Sequence, residues 1–145
     1  MMLPTFDGPV PDFAAPFWDA ITEGRIVLPR CDVCGRWQWY PEPGGTDCPG
    51  GSLRWVDVAV TGAIYAYTTV HRSFLPGGRD HVPYLVGMID LDDIDADANG
   101  GRPRLIANLT DDATIGWHVG TRVRATFPTI GTRTHLVFEP EVSDT

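Results

Sequence analysis

From residue 55 onward the chain alternates between apolar and polar positions. Val56, Val58, Val60, Ile64, Ala66 and Val70 fall on one parity, and Asp57, Thr61, Tyr65, Tyr67 and His71 on the other. A period of two sends successive side chains to opposite faces of a strand, one buried and one wet. The run covers about 17 residues, far more than the usual strand of about five or six. Gly62 within it therefore predicts a bend or bulge where one strand curls between two sides of a barrel. Residues 82–91 are apolar on both parities, which predicts a strand covered on both faces, with 104–109 as its hairpin mate and an acidic turn through Asn99-Gly100-Gly101 between them. Residues 110–120 form a polar connection with room for a helical turn, and 122–127 and 132–139 supply two last strands. Five strands, the first long and bent and the third and fourth separated by a non-strand link, predict a mainly β fold, a five-stranded Greek-key oligonucleotide/oligosaccharide-binding (OB) barrel. An open five-stranded sandwich is the alternative.

The first third of the chain follows other rules. Residues 1–15 are rich in proline and aromatics and read as extended. Pro16 suits the first position of a short N-terminal helix that runs to Glu23, with Gly24 just past its end. Phe17, Ala20 and Ile21 share one face of that helix and Trp18 lies beside them. Two turns are marginal in water, so the helix forms only if this face is docked. The dock is either the chain's own ribbon and barrel or a partner, which makes Phe17 and Trp18 candidate contact residues. The expected division is an arm and helix over 1–24, a cysteine ribbon over 25–54 and the barrel over 55–145.

Within the ribbon, Cys31-Asp32-Val33-Cys34 places two sulfurs at the tip of one knuckle, and Gly35 frees the turn behind them. A rubredoxin-like zinc ribbon needs a second pair, and Cys48-Pro49-Gly50-Gly51 arrives at the right distance with a glycine where the fourth sulfur belongs. Three outcomes fit Cys31, Cys34 and Cys48. Zinc is held by three thiolates plus a substitute (Asp47, His71, His81 or water), the ribbon keeps its shape without metal, or the cysteines are small buried residues. Trp37, Trp39 and Tyr40 follow the knuckle and are expected to pack over it.

Composition narrows the function. A formal net charge of −8 repels a phosphate backbone and weighs against nucleic acid, the familiar ligand of OB barrels. All 11 cations are arginine, so no Schiff-base lysine exists. No apolar run approaches the roughly 20 residues of a membrane span, and no basic patch precedes an apolar stretch near Met1. A soluble protein of the cytoplasm, with no membrane partner, is expected. Three cysteines, an odd number, do not suggest a disulfide framework.

One loop concentrates recognition chemistry. His71, Arg72, Phe74, Leu75, Arg79 and His81 join the first two barrel strands, where OB folds commonly bind. Arginines there suit phosphate or carboxylate, and Phe74 and Leu75 suit an apolar tail; an ordinary surface loop has the same composition. Arg122, Arg124 and Arg133 are expected to share an outward parity, as a basic stripe for phosphates or as partners of surface carboxylates. Asp95-Ala96-Asp97-Ala98-Asn99-Gly100 copies half of a calcium loop, but Pro103 and Ile106 stand where ligands are needed, so it reads as an acidic turn. No Ser-His-Asp order, phosphate loop or H-E-x-x-H motif provides a catalytic set, so no catalytic residue is named.

Taken in order, the short helix ending in glycine, Leu28-Pro29-Arg30-Cys31 with Cys34, Cys48-Pro49 with Gly51, a tryptophan and a glycine-bent strand resemble the zinc-ribbon OB-fold proteins catalogued as domain of unknown function family 35. Pro83-Tyr84-Leu85-Val86-Gly87, Val119-Gly120-Thr121-Arg122-Val123 and Val137-Phe138-Glu139-Pro140 extend the resemblance over nearly the whole chain. It implies binding of acyl-coenzyme A (acyl-CoA) and a hetero-oligomer with a thiolase-like or lipid-transfer-protein-like enzyme. Family members include the partner of a steroid side-chain aldolase and the small subunit of a phloroglucinol acetyltransferase complex. The resemblance therefore implies the non-catalytic half of a lyase or acyltransferase complex, most specifically one that performs retro-aldol cleavage of a steroid side-chain CoA ester. A stand-alone acyl-CoA-binding module and a single-stranded nucleic-acid binder are the alternatives.

Overall fold

The computed structural model describes residues 9–43, 46–72, 82–97, 100–110 and 116–141. After a short 3₁₀ turn, Asp12–Ala14, the chain enters helix α1, Ala15–Thr22, with Pro16 in its first turn and Gly24 at φ 76° behind it. Strands β1, Ile26–Cys31, and β2, Leu53–Val58, pair antiparallel as the ribbon. The closed barrel follows. It is built from β3, Thr61–Val70, β4, Tyr84–Leu91, β5, Leu105–Leu109, β6, Arg122–Thr126, and β9, Val137–Pro140, in the order β3-β4-β5-β9-β6. A hairpin of β7, Thr129–Ile130, and β8, Arg133–Thr134, interrupts the last connection. β5 and β9 run parallel and every other barrel pair antiparallel, the arrangement of an OB barrel.

Three expectations change. The 17-residue strand is two strands: β2 pairs with β1 through Val58, and β3 starts the barrel at Thr61. The apolar parity runs unbroken across the join because Val58 and Val60 pack against the same core that holds Ile64, so alternation could not mark the change of partner. Gly62 lies inside β3, bonded to Leu91 on one side and Val123 on the other, and a Cβ there would strike the carbonyl oxygen of Asp90. Glycine allows the close backbone approach that shuts the barrel. The predicted strand over 132–139 also breaks: Arg133–Thr134 turns back on β7 as β8, and the chain leaves that hairpin at His135 and Leu136 before β9 begins at Val137. Finally, β4 buries one parity fully, Gly87, Ile89 and Leu91, and half-covers the other. It is a barrel strand with a partly sheltered outer face.

Helix, ribbon and barrel share one apolar cluster. Phe17 and Ile21 of α1 and Ile26 and Leu28 of β1 join Ile64, Ile89, Leu105, Leu109, Val123 and Phe138. Each such side chain contributes about 1.5–3 kcal/mol on leaving water. The short helix is thus held by tertiary contact, as its length requires. Across the ribbon–barrel join, Trp37 Nε1 donates to the Asp95 carbonyl at 2.7 Å while its ring carries the Arg30 guanidinium at 4.6 Å.

Candidate functional site: cysteine cluster and aromatic cavity

The end of β1 and its return turn bring three sulfurs together. Cys31 closes β1, its backbone N–H bonding the Arg36 carbonyl and its carbonyl accepting from Gly35, so the knuckle folds tightly back on itself. The Sγ atoms of Cys31, Cys34 and Cys48 lie within 4.8 Å of one another. Backbone N–H groups of Cys34 and Val33 point at the Cys31 sulfur and lower its thiol to about 6. Burial, then the neighbouring thiols of Cys34 and Cys31, push Cys48 up to about 11. The knuckle's N–H groups thus favour the thiolate at Cys31, and burial favours the thiol at Cys48. Tetrahedral zinc spaces thiolate sulfurs about 3.8 Å apart. The cluster fits such an ion with small movements, supplying three donors.

No carboxylate or imidazole among the described residues joins that group. Asp47 is exposed on the rim of an adjoining cleft and His71 is exposed just beyond β3; His81 lies outside the described residues. Gly51 stands against the sulfurs: a Cβ there would come 2.7 Å from Cys31 Sγ and 3.0 Å from Cys48 Cβ. A cleft of about 570 Å³ opens beside Cys34 and Cys48, lined also by Arg36, Trp37, Glu42, Thr46 and Asp47.

A second concavity, of about 410 Å³, lies between α1, the aromatic stretch after the knuckle, the outer edge of β5 and the β7–β8 hairpin. Phe17, Trp18, Trp39 and Tyr40 form one wall; Leu105, Ile106 and Leu136 face them, with Asn108, Arg133 and His135 as the polar contribution. Phe17 meets Trp39 at 5.0 Å and Trp18 edge-on at 5.2 Å, and Trp39 meets Tyr40 at 5.0 Å. Trp39 Nε1 is buried and finds no hydrogen-bond partner among the described residues. A predominantly apolar pocket of a few hundred Å³ with few polar groups is the form small-molecule sites take.

Placement corrects several expectations. Trp39 and Tyr40 turn away from the knuckle to face the helix, and of the three aromatics only Trp37 lines the cleft at the cysteines. Phe17 is 6% exposed, a core residue whose ring also walls the cavity, whereas Trp18 is half-buried at its edge. His71 and Arg72 are exposed, and Phe74, Leu75, Arg79 and His81 lie outside the described residues. Of the two roles expected for the arginines, the structure shows the pairing with surface carboxylates: Arg122 and Arg124 share the exposed parity of β6 and pair with Asp92 and Glu141 and with Glu139, while Arg133 sits on the separate hairpin. Trp39, Tyr40 and Ile106 were not recognisable as one site in sequence, since nothing in local periodicity joins positions more than 60 apart.

Comparison with known proteins matches residues 18–54 to the rubredoxin-like zinc ribbon domain of ChsH2 and residues 55–128 to the ChsH2 C-terminal OB-fold domain. The chain is 31% identical over 111 residues to a probable enoyl-CoA hydratase alpha subunit of Thermomonospora curvata, an alignment that covers 74% of this chain and 31% of that protein. The chain thus spans about a third of the length of that curated relative. Among solved structures it is similar to a chain of the Ltp2-ChsH2(DUF35) aldolase, with TM-score 0.70 and 27% identity over 93% of this chain and 99% of that one. A DUF35 protein of Sulfolobus solfataricus shares the fold, with TM-score 0.54 and 12% identity over 90% and 86% of the two chains. Among the described residues no helix is long and apolar enough to cross a membrane.

Proposed function

The chain belongs to the ChsH2 family, which joins a rubredoxin-like zinc ribbon to an OB-fold domain, and from that premise we propose that it is the accessory subunit of a thiolase-like, lipid-transfer-protein-like enzyme of the cytoplasm acting on acyl-CoA thioesters. The observation that carries this reading is likeness over 93% of its length to a chain of the Ltp2-ChsH2(DUF35) aldolase. The reaction that follows is retro-aldol cleavage of a β-hydroxyacyl thioester, most specifically a steroid side-chain CoA ester. A base takes the hydroxyl proton, the Cα–Cβ bond breaks, and the thioester enolate accepts a proton. The partner supplies base and acid. This chain supplies the aromatic cavity at the α1–β5 seam, whose rings suit the rigid apolar end of the substrate, and the loop over 71–81 as a surface for partner or ligand.

Co-expression with a lipid-transfer-protein-like thiolase tests the proposal. A stable complex burying more than about 1,000 Å² is expected, with cleavage activity only in the complex. A chain that purifies as a monodisperse monomer and ignores that partner ends the reading. A predominantly apolar cavity walled by Phe17, Trp18, Trp39 and Tyr40 supports a second reading, a stand-alone acyl-CoA-binding module. Calorimetry separates the two: micromolar binding of an acyl-CoA by the isolated chain supports the module.

A further inference from the structure

We propose that the cysteine cluster is a three-thiolate metal centre whose fourth position is open and takes an external low-molecular-weight thiol. Three features carry this, independently of the function proposed above. Cys31, Cys34 and Cys48 converge within 4.8 Å, and no fourth donor joins them among the described residues. Gly51, where a ribbon would carry its fourth sulfur, is packed so closely that even a Cβ would lie 2.7 Å from Cys31 Sγ. The chain therefore has no room to send a side chain in from that position without moving the loop. Access comes from the cleft beside Cys34 and Cys48, which reaches solvent and where Cys34 is exposed.

The donor set selects the ligand. Three soft thiolates favour a thiophilic ion such as zinc, and such an ion favours a further soft donor over carboxylate or water. The cleft wall sets Arg36 against Glu42 and Asp47 and so adds no net positive charge; the soft donor set alone selects the thiol. With a metal held by Cys31, Cys34 and Cys48, the external thiol would give its proton to solvent and its sulfur lone pair would complete the donor set, with nothing oxidised or reduced.

Cobalt(II) in place of zinc reads this directly, because its sulfur-to-metal charge-transfer absorbance grows with the number of thiolates. The full chain is expected to hold one equivalent of cobalt and, on titration with β-mercaptoethanol, to gain about a third in that absorbance as three thiolates become four. Native mass spectrometry should then show chain, metal and thiol at one each. Coenzyme A in a parallel titration shows whether the cleft admits a bulky thiol; a response to it extends the site to that source, and a response to β-mercaptoethanol alone confines it to small thiols. Gly51→Cys should start at four-thiolate intensity and lose the response. If that variant fails to fold, the wild-type titration decides alone. A flat titration with cobalt bound, a response to imidazole but not to thiols, or a chain that binds no metal overturns the proposal.

Discussion

The guanidinium of Arg122 grips the carboxylate of Asp92 with two hydrogen bonds, 2.7 and 2.5 Å long, and Thr61 donates a third at 2.7 Å. The clamp ties β6 to the end of β4 and the start of β3, where the barrel closes. Hydrogen bonds from Arg122, then Thr61, hold the Asp92 carboxyl down at about 2. A carboxyl with a depressed folded-state value stabilises above its unfolded value of about 3.9. That contribution is lost as pH falls through about 2.

The stability difference between wild type and Asp92→Asn, read from urea midpoints, should be full at pH 5 and shrink between pH 4 and pH 2. Because Arg122 is half exposed, the difference should be no more than about 1 kcal/mol. A difference that grows on acidification would refute the clamp.

Gly62 and Gly116 make a matched pair of tests. Gly62→Ala forces a methyl against the Asp90 carbonyl between two paired strands and should cost about 1–3 kcal/mol or more, the range for overpacking. Gly116→Ala meets nothing within 4 Å and should change stability by no more than about 0.5 kcal/mol. Thermal unfolding of the two variants gives the comparison.

Phe17→Ala should remove about 3–5 kcal/mol, because the ring is buried in the shared core and packs on Trp39. Loss of far-UV helical signal is expected with it, since α1 has eight residues and no independent stability. Trp18→Ala, at the cavity edge, should cost only about 1 kcal/mol through its edge-on contact with Phe17. If the cavity receives the acyl group, Trp18→Ala should nevertheless raise Kd for acyl-CoA at least tenfold in the complex or the isolated chain, whichever binds.

Trp37→Phe deletes the hydrogen bond to Asp95 that ties ribbon to barrel. The expected loss is about 1 kcal/mol, with faster hydrogen exchange in β1 than in β4 or β5. Equal acceleration throughout would mean that ribbon and barrel open as one unit.

Much of the barrel was legible in sequence because its strands bury one parity each. The alternation through Val56 to Val70 and the apolar run to Leu91 mark strands whatever their partners. Pro16 and Gly24 likewise marked the helix, since backbone restriction at those residues is local. Trp39 and Tyr40 were assigned to the knuckle because they follow it closely; their rings face α1 instead, drawn by Phe17. The cavity joins Trp18 and Tyr40 to Ile106 and Leu136, and that distance along the chain leaves no periodic trace.

The sequence by itself determined the order of helix, ribbon and barrel, the three thiols and the missing fourth, because periodicity, turn residues and donor count are properties of neighbouring positions. Only the tertiary structure decided that β2 leaves the barrel to pair with β1, that Arg122 and Arg124 meet carboxylates, and that an aromatic cavity forms at the seam. It also decided what Gly51 means. A glycine in a motif records only an absent ligand, whereas in the fold its backbone lies against Cys31 and Cys48 and a cleft opens beside Cys34 and Cys48.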